Sequence, residues 1–378
     1  MNDRTILRRG WTTGACAAAA AKSACSALLT RTFLDPVIIT LPNGTTPAFA
    51  LAEAVLDEAA ARAGIIKDAG DDPDVTHGAL VRASVSRAEP GAGVVFRAGP
   101  GVGMVTRPGL PIPPGEPAIN PVPRRMIREA LAEVAAPLRV AGDFVVEVSI
   151  LDGEELALRT LNGRLGIVGG LSILGTTGIV IPYSCAAWID SVNRGIDVAR
   201  ALGLPHVAGC TGRASQQAVR ALHELDEVAL IEMGDFAGGM LKYLRRHPVP
   251  RVTVAGGVAK MTKLAQGRLD LHSGRGIVDL AALASFAEKA GGPASLGARI
   301  EAAGTAAAAF ALARADGIAL GGAVAEAAWD VAAGLLEGAD IALEILVFDR
   351  DGVLAGRAGF RPVHKFRSGS TPARKRRR

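Results

Sequence analysis

The sequence predicts an α/β protein of two domains, and two observations support that fold class. Its 378 residues exceed the length of one average domain. From about residue 160 onwards, apolar strand-like runs alternate with helical stretches, which is the pattern of βαβ units that build a parallel sheet. Before that point, strand-like runs follow one another with few helices between them. We therefore expect an N-terminal α+β domain followed by a domain with a parallel sheet.

The α+β domain is expected to cover residues 1–155. Its first helix follows Thr12 and Thr13, whose hydroxyls suit a helix start. A turn at 42–44 indicates a hairpin. A glycine- and proline-rich loop at 99–123 is long, and loops of that length are usually functional or disordered. Helices are expected at 14–29, 57–63 and 124–135, and strands at 37–41, 48–54, 79–86, 93–98 and 145–150.

The parallel-sheet domain is expected at 160–340, with alanine-rich helices added after its last strand. A C-terminal strand hairpin should follow at 341–364, because β-rich runs flank a turn signal at Asp351 and Gly352. The expected strands are 177–181, 206–210, 227–232 and 252–255, and the expected helices are 185–202, 213–224, 236–246, 278–290, 296–315 and 321–337.

The positive charge of the chain belongs to its last residues. The formal net charge is +5, but residues 365–378 hold seven basic side chains and no acid, so the other residues carry 35 basic against 37 acidic side chains. We expect a disordered basic tail that associates with polyanions non-specifically. The near-neutral body and an aromatic share of 4% argue against specific nucleic-acid binding.

Cysteine and histidine usage indicates a reducing compartment and no metal site in the protein. Cys16, Cys25, Cys185 and Cys210 show no CxxC spacing and stand among small apolar residues, as core thiols do. The six histidines lack HxxxH and HExxH spacing. No run of about 20 apolar residues is free of charges and glycine clusters, so we expect no membrane span and a cytoplasmic protein.

Three times the chain sets a threonine before a glycine where a helix or strand should begin. The hydroxyl can cap a free backbone N–H, and the glycine lets a ligand approach the backbone closely. Ordinary capping and turn formation explain each of them as well. The three runs are Thr12-Thr13-Gly14, Thr176-Thr177-Gly178 and Thr211-Gly212.

Ligands of open parallel sheets bind beyond the carboxyl ends of the strands. The Thr211–Gly212 and Glu232–Asp235 turns each follow an expected strand, and Arg213 adds a donor for anions at a helix start. The acid that opens the second turn can accept hydrogen bonds from a ribose diol. Lys260 and Lys263 lie on one face of a helix and could meet carboxylates. Helix capping and a solvated basic face are the alternatives.

Two further features carry less chemistry. His272 precedes Ser273, but a triad is not expected because the sequence has no nucleophile elbow. The aspartates at 68–74 lack the spacing of a calcium loop, which favours a solvated turn over a cation site.

Together, these segments resemble the CbiD family, the cobalt-precorrin-5B methyltransferases of anaerobic cobalamin biosynthesis. The C-terminal third resembles the family only in general character. The matching segments keep the family's order and are RRGWTTGACAAAAAKSA (8–24), DAGDDPDVTHGA (68–79), GPGVGMVTRPGL (99–110), GEPAINPVPRRMI (115–127), GGLSILGTTGIVIPYS (169–184), TGRASQQA (211–218), EMGDFAGGML (232–241) and VAKMTKLAQGRLDLHS (258–273).

The resemblance implies methyl transfer from S-adenosylmethionine to ring carbon 1 of cobalt-precorrin-5B, giving cobalt-precorrin-6A. It also implies a Rossmann-like second domain, with cobalt arriving as part of the corrinoid substrate. Within the motifs, we expect the methyl donor at Gly175, Thr176, Thr177, Gly178, Thr211, Gly212 and Gly234. We expect the corrinoid at Thr12, Thr13, Gly14, Gly101, Gly103, Asn120, Arg124, Arg213, Lys260 and Lys263. The candidates for a base are Glu232, Asp235 and His272, and the reverse division of the two ligands stays open.

Two other functions stay open on the sequence. A nucleotide-dependent oxidoreductase fits the parallel sheet, although GxGxxG with a ribose acid about 20 residues later is missing. A polyanion-binding protein acting through the tail is the non-enzymatic alternative. We expect no specific nucleic-acid or membrane partner, whereas other cobalamin-pathway enzymes and a second copy of the chain are possible partners.

Overall fold

The computed structural model describes residues 7–363, and the chain divides into two compact units, Met1–Cys185 and Ala186–Arg378. The predicted boundary was 155–160, so the segment 160–185 lies with the first unit instead of the second. The predicted basic tail at 365–378 and the last residue of the predicted hairpin lie outside the described residues.

Over its described residues, 7–185, the first unit contains one five-stranded sheet, several two-stranded ladders and four helices. Its elements are β1 (Gly10–Trp11), α1 (Thr13–Thr30), β2 (Val37–Ile38), β3 (Ala48–Phe49), β4 (Glu53–Leu56), β5 (Ala60–Ile66), β6 (Leu80–Arg87), β7 (Val94–Ala98), β8 (Gly101–Val102), β9 (Met104–Val105), α2 (Pro121–Ala135), β10 (Phe144–Ile150), α3 (Gly153–Ala157), α4 (Asn162–Leu165), β11 (Ile167–Val168), β12 (Gly170–Leu171) and β13 (Ile179–Val180).

Helix α1 lies buried against this sheet because its side chains are small. The sheet has the order β4-β5-β6-β10-β7, antiparallel except for the parallel pair β10–β7. Alanines 17–21 of α1 are fully buried, and the helix contacts β5, β6 and α2. Alternate residues of β10, from Phe144 to Ile150, point into the same core.

The helix predicted at 57–63 is wrong, because the chain there forms strand β5. Residues Ala60 to Ile66 pair with β6 at every position. Alanine and glycine fill much of this run and made it look helical, but its ladder position decides the structure. The predicted hairpin between 37–41 and 48–54 is confirmed over two residue pairs, from Val37 with Phe49 to Ile38 with Ala48.

The long loop at 99–123 is ordered by pairing with residues 167–171. Strand β8 pairs with β12 in parallel, and β9 pairs with β11 antiparallel. A Cβ on Gly170 would collide with the backbone of Gly101, so strands β8 and β12 can approach this closely only because both positions are glycine. These ladders explain why the segment after residue 160 belongs to the first unit.

As far as residue 363, where the described part ends, the second unit contains a five-stranded sheet and eight helices, in addition to two short 3₁₀ turns at Glu227–Ala229 and Ser273–Arg275. Its elements are α5 (Cys185–Ala201), β14 (His206–Cys210), α6 (Arg213–His223), β15 (Leu230–Glu232), α7 (Ala237–Arg246), β16 (Arg251–Gly257), α8 (Val258–Ala265), α9 (Leu280–Lys289), α10 (Ala294–Glu301), α11 (Ala306–Ala315), α12 (Leu320–Leu335), β17 (Ala342–Phe348) and β18 (Leu354–Pro362).

The parallel sheet predicted for this part of the chain is confirmed. Its order is β15-β14-β16-β17-β18, with β18 antiparallel to β17 and the other neighbours parallel. The chain reverses its direction of strand addition between β14 and β16, and crevices at such points hold ligands in open α/β sheets. The helix predicted at 296–315 is two helices. Thr305 starts the second one by accepting the Ala308 N–H at 3.2 Å.

A buried polar network crosses the sheet near the amino ends of its strands. Glu344 is fully buried and accepts hydrogen bonds from Thr253 at 2.9 Å and from Arg357 at 2.8 Å, and the His223 ring nitrogen lies 2.6 Å from it. The His206 ring nitrogen lies 2.8 Å from the Thr253 hydroxyl. Burial, aided by the nearby charges of His223 and Arg251, lowers the pKa of His206 to about 4.

We expect acid to destabilise the protein through His206. Its ordinary pKa is 6.5, so below that pH the unfolded chain binds a proton that the folded chain resists until about pH 4. Above pH 6.5 this contribution to the free energy of unfolding is retained, and at about pH 5 the free energy of unfolding is lower by about 2 kcal/mol. Urea unfolding above pH 6.5 and at about pH 5 should show a smaller difference in the free energy of unfolding for His206→Gln than for wild type. An equal difference in that variant would show that other groups cause the acid sensitivity.

Helix α12 and strand β18 cross where Gly321 meets Gly356, and this close packing can be tested through Gly321. A Cβ on Gly321 would collide with the backbone of Ala355, whereas Gly322 next to it has nothing within 4 Å of a Cβ position. We expect Gly321→Ala to lower the free energy of unfolding by about 2 kcal/mol or more, and Gly322→Ala to change it by less than about 1 kcal/mol. Equal melting temperatures for the two variants would contradict the described packing.

Candidate ligand site at the carboxyl edge of the parallel sheet

Four helices of the second unit begin at the edge where its parallel strands end. Helices α6, α7 and α8 follow β14, β15 and β16 directly. Helix α5 joins them because Trp188, in its first turn, contacts the residues that follow β15. Within the described residues, α6, α7 and α8 have no side-chain cap at their first N–H groups. In α7 the Gly238 N–H donates to the Leu269 carbonyl at 2.9 Å instead. Helix starts without a side-chain cap favour anionic or oxygen-rich ligands.

The turn after β14 is fixed from two sides and left open on a third. The Thr211 N–H donates to Ala255 at 3.0 Å, and the Lys260 Nζ donates to the Thr211 carbonyl at 3.0 Å. A Cβ on Gly256 would lie 2.7 Å from the Thr211 side chain, so that glycine makes room for it. A Cβ on Gly212 would have nothing within 4 Å. The backbone at Gly212 is therefore open to a ligand.

The turn after β15 carries two acids with different surroundings. The Asp235 carboxylate lies 3.0 Å from Lys260 Nζ, which ties this turn to the one after β14. Gly234 has φ +57°, and its N–H donates to Cys210 at 3.3 Å. The half-buried Glu232 side chain makes no hydrogen bond or ion pair within the described part of the chain. Glu232 therefore offers a ligand a carboxylate that has no ion pair to give up.

Lys263 and His272 lie next to this edge but differ in exposure. The buried Lys263 donates from Nζ to the Leu271 carbonyl at 3.0 Å, so it holds the chain instead of facing solvent. The Leu271 N–H donates to Asp235 at 2.8 Å, which brings His272 beside the second turn. His272 is exposed, and its Nδ1 accepts the Gly274 N–H at 3.0 Å. In that tautomer Nε2 carries the ring proton and can donate a hydrogen bond to a ligand.

Arg213 is exposed at the start of α6, and within residues 7–363 it has no ion pair. Its guanidinium can therefore bind a carboxylate without first giving up an internal partner. The predicted residues that the second unit brings together are Thr211, Gly212, Arg213, Glu232, Gly234, Asp235 and Lys260, with Lys263 and His272 beside them.

The other predicted threonine turns meet each other in the first unit. The Thr12 hydroxyl caps α1 by accepting the Ala15 N–H at 3.2 Å, and the Thr12 N–H donates to Gly178 at 3.0 Å. A Cβ on Gly175 would collide with Thr12. Thr12, Thr13 and Gly14 are buried under this turn, whereas Thr176 and Thr177 are exposed. The residues predicted to bind the methyl donor therefore lie in both units.

The remaining predicted corrinoid residues support the same part of the first unit. Gly101 and Gly103 are buried in the ladders with 167–171. The Asn120 N–H donates to Ile173 at 2.9 Å. Arg124 donates to the carbonyls of Ile119 at 2.8 Å and Pro117 at 3.1 Å, and it pairs with Glu116. These contacts give each residue a structural role.

The carboxylates of the acidic loop at 68–74 contact other residues of the same chain. Asp68 pairs with Arg8, and Asp72 accepts the Tyr183 N–H at 2.8 Å. Asp74 lies 2.6 Å from the fully buried Nζ of Lys67.

The described residues contain no group of three or more histidine, cysteine or acidic side chains that could hold a metal ion. None of the helices in the described part has the length and hydropathy to cross a bilayer.

Sequence reasoning missed two residues that shape these sites. Lys67 follows a strand as an isolated basic residue, and only its burial against Asp74 reveals its role. Trp188 stands in an ordinary amphipathic helix, and its contact with Gly234 depends on the position of α5. The one available signal was that Trp188 is among only three tryptophans of the chain.

Comparisons with known proteins identify the family. A family model described as CbiD matches residues 1–182, and one described as the CbiD C-terminal domain matches residues 270–359. A protein from Agrobacterium fabrum is 62% identical over 363 residues, which cover 96% of this chain and 96% of that protein. The chain belongs to the CbiD family, as the eight motifs predicted.

The names of the relatives agree with one another. The Agrobacterium protein is named cobalt-precorrin-5B C(1)-methyltransferase. So are relatives from Methylorubrum extorquens, 61% identical with coverage of 94% of this chain and 98% of theirs, and Halorhodospira halophila, 60% identical with coverage of 94% and 95%. A crystal structure of the cobalamin biosynthesis protein CbiD from Archaeoglobus fulgidus is 24% identical and covers 82% of this chain and 85% of its own, with a TM-score of 0.37.

The link between the two turns can be tested through Lys260. Replacing it with methionine removes the hydrogen bond to Thr211 and the ion pair with Asp235. We expect Lys260→Met to lower the free energy of unfolding by about 1 kcal/mol and to speed amide hydrogen exchange at 211–213. The exposed Lys242 on α7 is the matched control, and Lys242→Met should leave both unchanged. Unchanged exchange in Lys260→Met would contradict this role.

Proposed function

We propose that this protein transfers a methyl group to ring carbon 1 of cobalt-precorrin-5B, giving cobalt-precorrin-6A. The observation that carries the proposal is identity of 60–62% over nearly the full length of proteins with that named activity. The names give no support to an oxidoreductase or to a polyanion-binding protein. The absence of GxGxxG between the strand and helix at 206–218 is in line with that outcome.

We further propose that S-adenosylmethionine is the methyl donor and binds at the carboxyl edge of the second unit. A donor of this kind supplies a methyl group on a sulfonium, whose sulfur keeps the bonding electron pair when the carbon is attacked. The four parallel strands follow the order 2-1-3-4 found in flavodoxin-like sheets, with the antiparallel β18 at the fifth place, and this order supports the Rossmann-like interpretation. The open backbone at Gly212 and the uncapped start of α6 fit the polar groups of such a ligand.

The protein's main contribution is then to position the two reactants and to exclude water. Alignment alone can supply an effective molarity of about 10⁵ M or more, so no protein nucleophile is required. Glu232 would accept hydrogen bonds from a ribose diol, while Lys260 keeps the turns after β14 and β15 at a fixed separation. Glu232, Asp235 and His272 stay the candidates for a base that removes a proton from the macrocycle.

We propose that exposed basic side chains bind the carboxylate arms of the corrinoid. Arg213 suits this role better than Arg124 or Lys263, because internal carbonyls already occupy the latter two. Thr176 and Thr177, which the sequence assigned to the methyl donor, are exposed in the first unit, and we propose that they face the corrinoid instead. Thr12, Thr13, Gly14, Gly101, Gly103 and Asn120 would support the loops around them. The buried free thiols of Cys16 and Cys25 fit a reducing, cytoplasmic location.

The activity is tested with purified protein, cobalt-precorrin-5B and S-adenosylmethionine. We expect the corrinoid to gain the mass of one methyl group, with S-adenosylhomocysteine formed in equal amount. Calorimetry that detects no binding of either sulfur compound, with the corrinoid present, would refute the donor assignment. An unchanged corrinoid mass despite donor binding would refute the reaction.

The donor site is tested by filling the open space at Gly212. Its φ of 169° is extended backbone that any residue can adopt, so Gly212→Val should leave the melting temperature nearly unchanged. We expect the KM for the donor to rise about tenfold or more, because the added side chain occupies the space proposed for the ligand. The exposed Gly359 of β18 also has nothing within 4 Å, and Gly359→Val is the matched control with wild-type KM. Equal KM values for both variants would contradict the proposed site.

A further inference from the structure

One half-exposed tryptophan lies against the turn after β15. Trp188 keeps 43% of its surface accessible, whereas Trp329 is buried and Trp11 packs edge-on against Phe49. Aromatic residues make up only 4% of the chain. Large aromatic side chains contribute most when they are covered, so an indole half open to solvent beside a ligand site indicates a surface that a ligand covers.

The indole and the turn depend on each other. A Cβ on Gly234 would lie 3.2 Å from the Trp188 Nε1 and 3.4 Å from its Cε2, so the ring lies directly on this glycine. Gly234 also has a positive φ of 57°, which L side chains rarely adopt. Two separate observations therefore require glycine at position 234: the contact with the indole ring and the positive φ.

The ring is also held in its plane. Its Nε1 donates to the Glu232 carbonyl at 3.3 Å, on the same residue whose carboxylate makes no contact within the described chain. On α5, Ile189 packs on Gly239 and Gly195 lies against Ile231, so the helix that carries Trp188 is fixed against β15 and α7. An indole ring in a fixed, half-exposed position can stack on the base of a nucleoside, and the carboxylate of Glu232 next to it can accept hydrogen bonds from the ribose.

We propose that Trp188 stacks on the adenine ring of the methyl donor and thereby determines the affinity for the nucleoside. This inference rests on the proposed donor site at the carboxyl edge of the second unit. Stacking of a base on an aromatic side chain corresponds to about 5-fold to 150-fold in affinity. Trp188 binds the donor and takes no part in bond making, so its loss affects KM for the donor and leaves KM for the corrinoid unchanged.

The test uses tryptophan fluorescence and three single variants, Trp11→Phe, Trp188→Phe and Trp329→Phe. Wild-type protein is titrated with S-adenosylhomocysteine, with adenosine and with L-homocysteine. We expect the first two to quench the emission and the third to leave it unchanged. Phenylalanine at 188 keeps a ring for stacking, so Trp188→Phe should bind S-adenosylhomocysteine in calorimetry within about fivefold of wild type while losing the quenching. The other two variants should keep it.

A second measurement separates binding from a purely structural role. Trp188→Ala should raise the dissociation constant of S-adenosylhomocysteine about tenfold or more, and Trp188→Phe should restore most of that loss. Quenching that persists in Trp188→Phe, or an unchanged affinity in Trp188→Ala, would overturn the inference and leave the proposed function standing. Failure of wild-type protein to bind S-adenosylhomocysteine, with the corrinoid present, would overturn both the donor assignment and this inference.

Discussion

The fold depends on backbone segments that lie closer together than any side chain would permit. Gly10 lies against the backbone of Ala69 and Gly70, and Gly101 lies against Gly153 and Gly170. In the second unit Gly321 meets Gly356 in the same way. Each contact joins elements far apart in sequence, so these glycines set the register of whole segments. The high glycine content of the chain therefore serves packing in large part, in addition to any role at ligands.

The same constraint explains which elements could be predicted from the sequence. The parallel sheet at 206–257 was predictable, because apolar runs such as His206–Cys210 are buried throughout and are separated by helices of ordinary length. Strand β5 was not, because alanine and glycine carry little strand preference and its seven residues are strands only through their pairing with β6. The placement of 160–185 likewise depends on backbone ladders that leave no mark on hydrophobic periodicity.

The candidate site shows the same division between local and long-range information. Thr211, Gly212, Glu232 and Asp235 follow strands directly, so the parallel topology is enough to place them at one edge. The first-unit turn at 175–178 has a similar sequence, yet its Gly175 packs against Thr12 at the start of α1 and its Gly178 packs against Leu41. A threonine–glycine run is thus informative about a helix start or a close approach. The surrounding strand order distinguishes a turn at the edge of a parallel sheet from one that packs on a helix start, where only the side chains of Thr176 and Thr177 stay exposed.

Strand β16 has an unusual history during synthesis of the chain. Its neighbour on one side, β14, is made before it, whereas the neighbour on the other side, β17, follows only after the whole segment 258–341. Five consecutive residues of β16 are buried in the finished sheet. Until β17 emerges, one edge of this apolar strand has no partner from its own sheet, and exposed edges of that kind promote aggregation. Helices α8–α12 are therefore synthesised before the sheet can be completed, and the rate of translation sets how long that edge of β16 waits for β17.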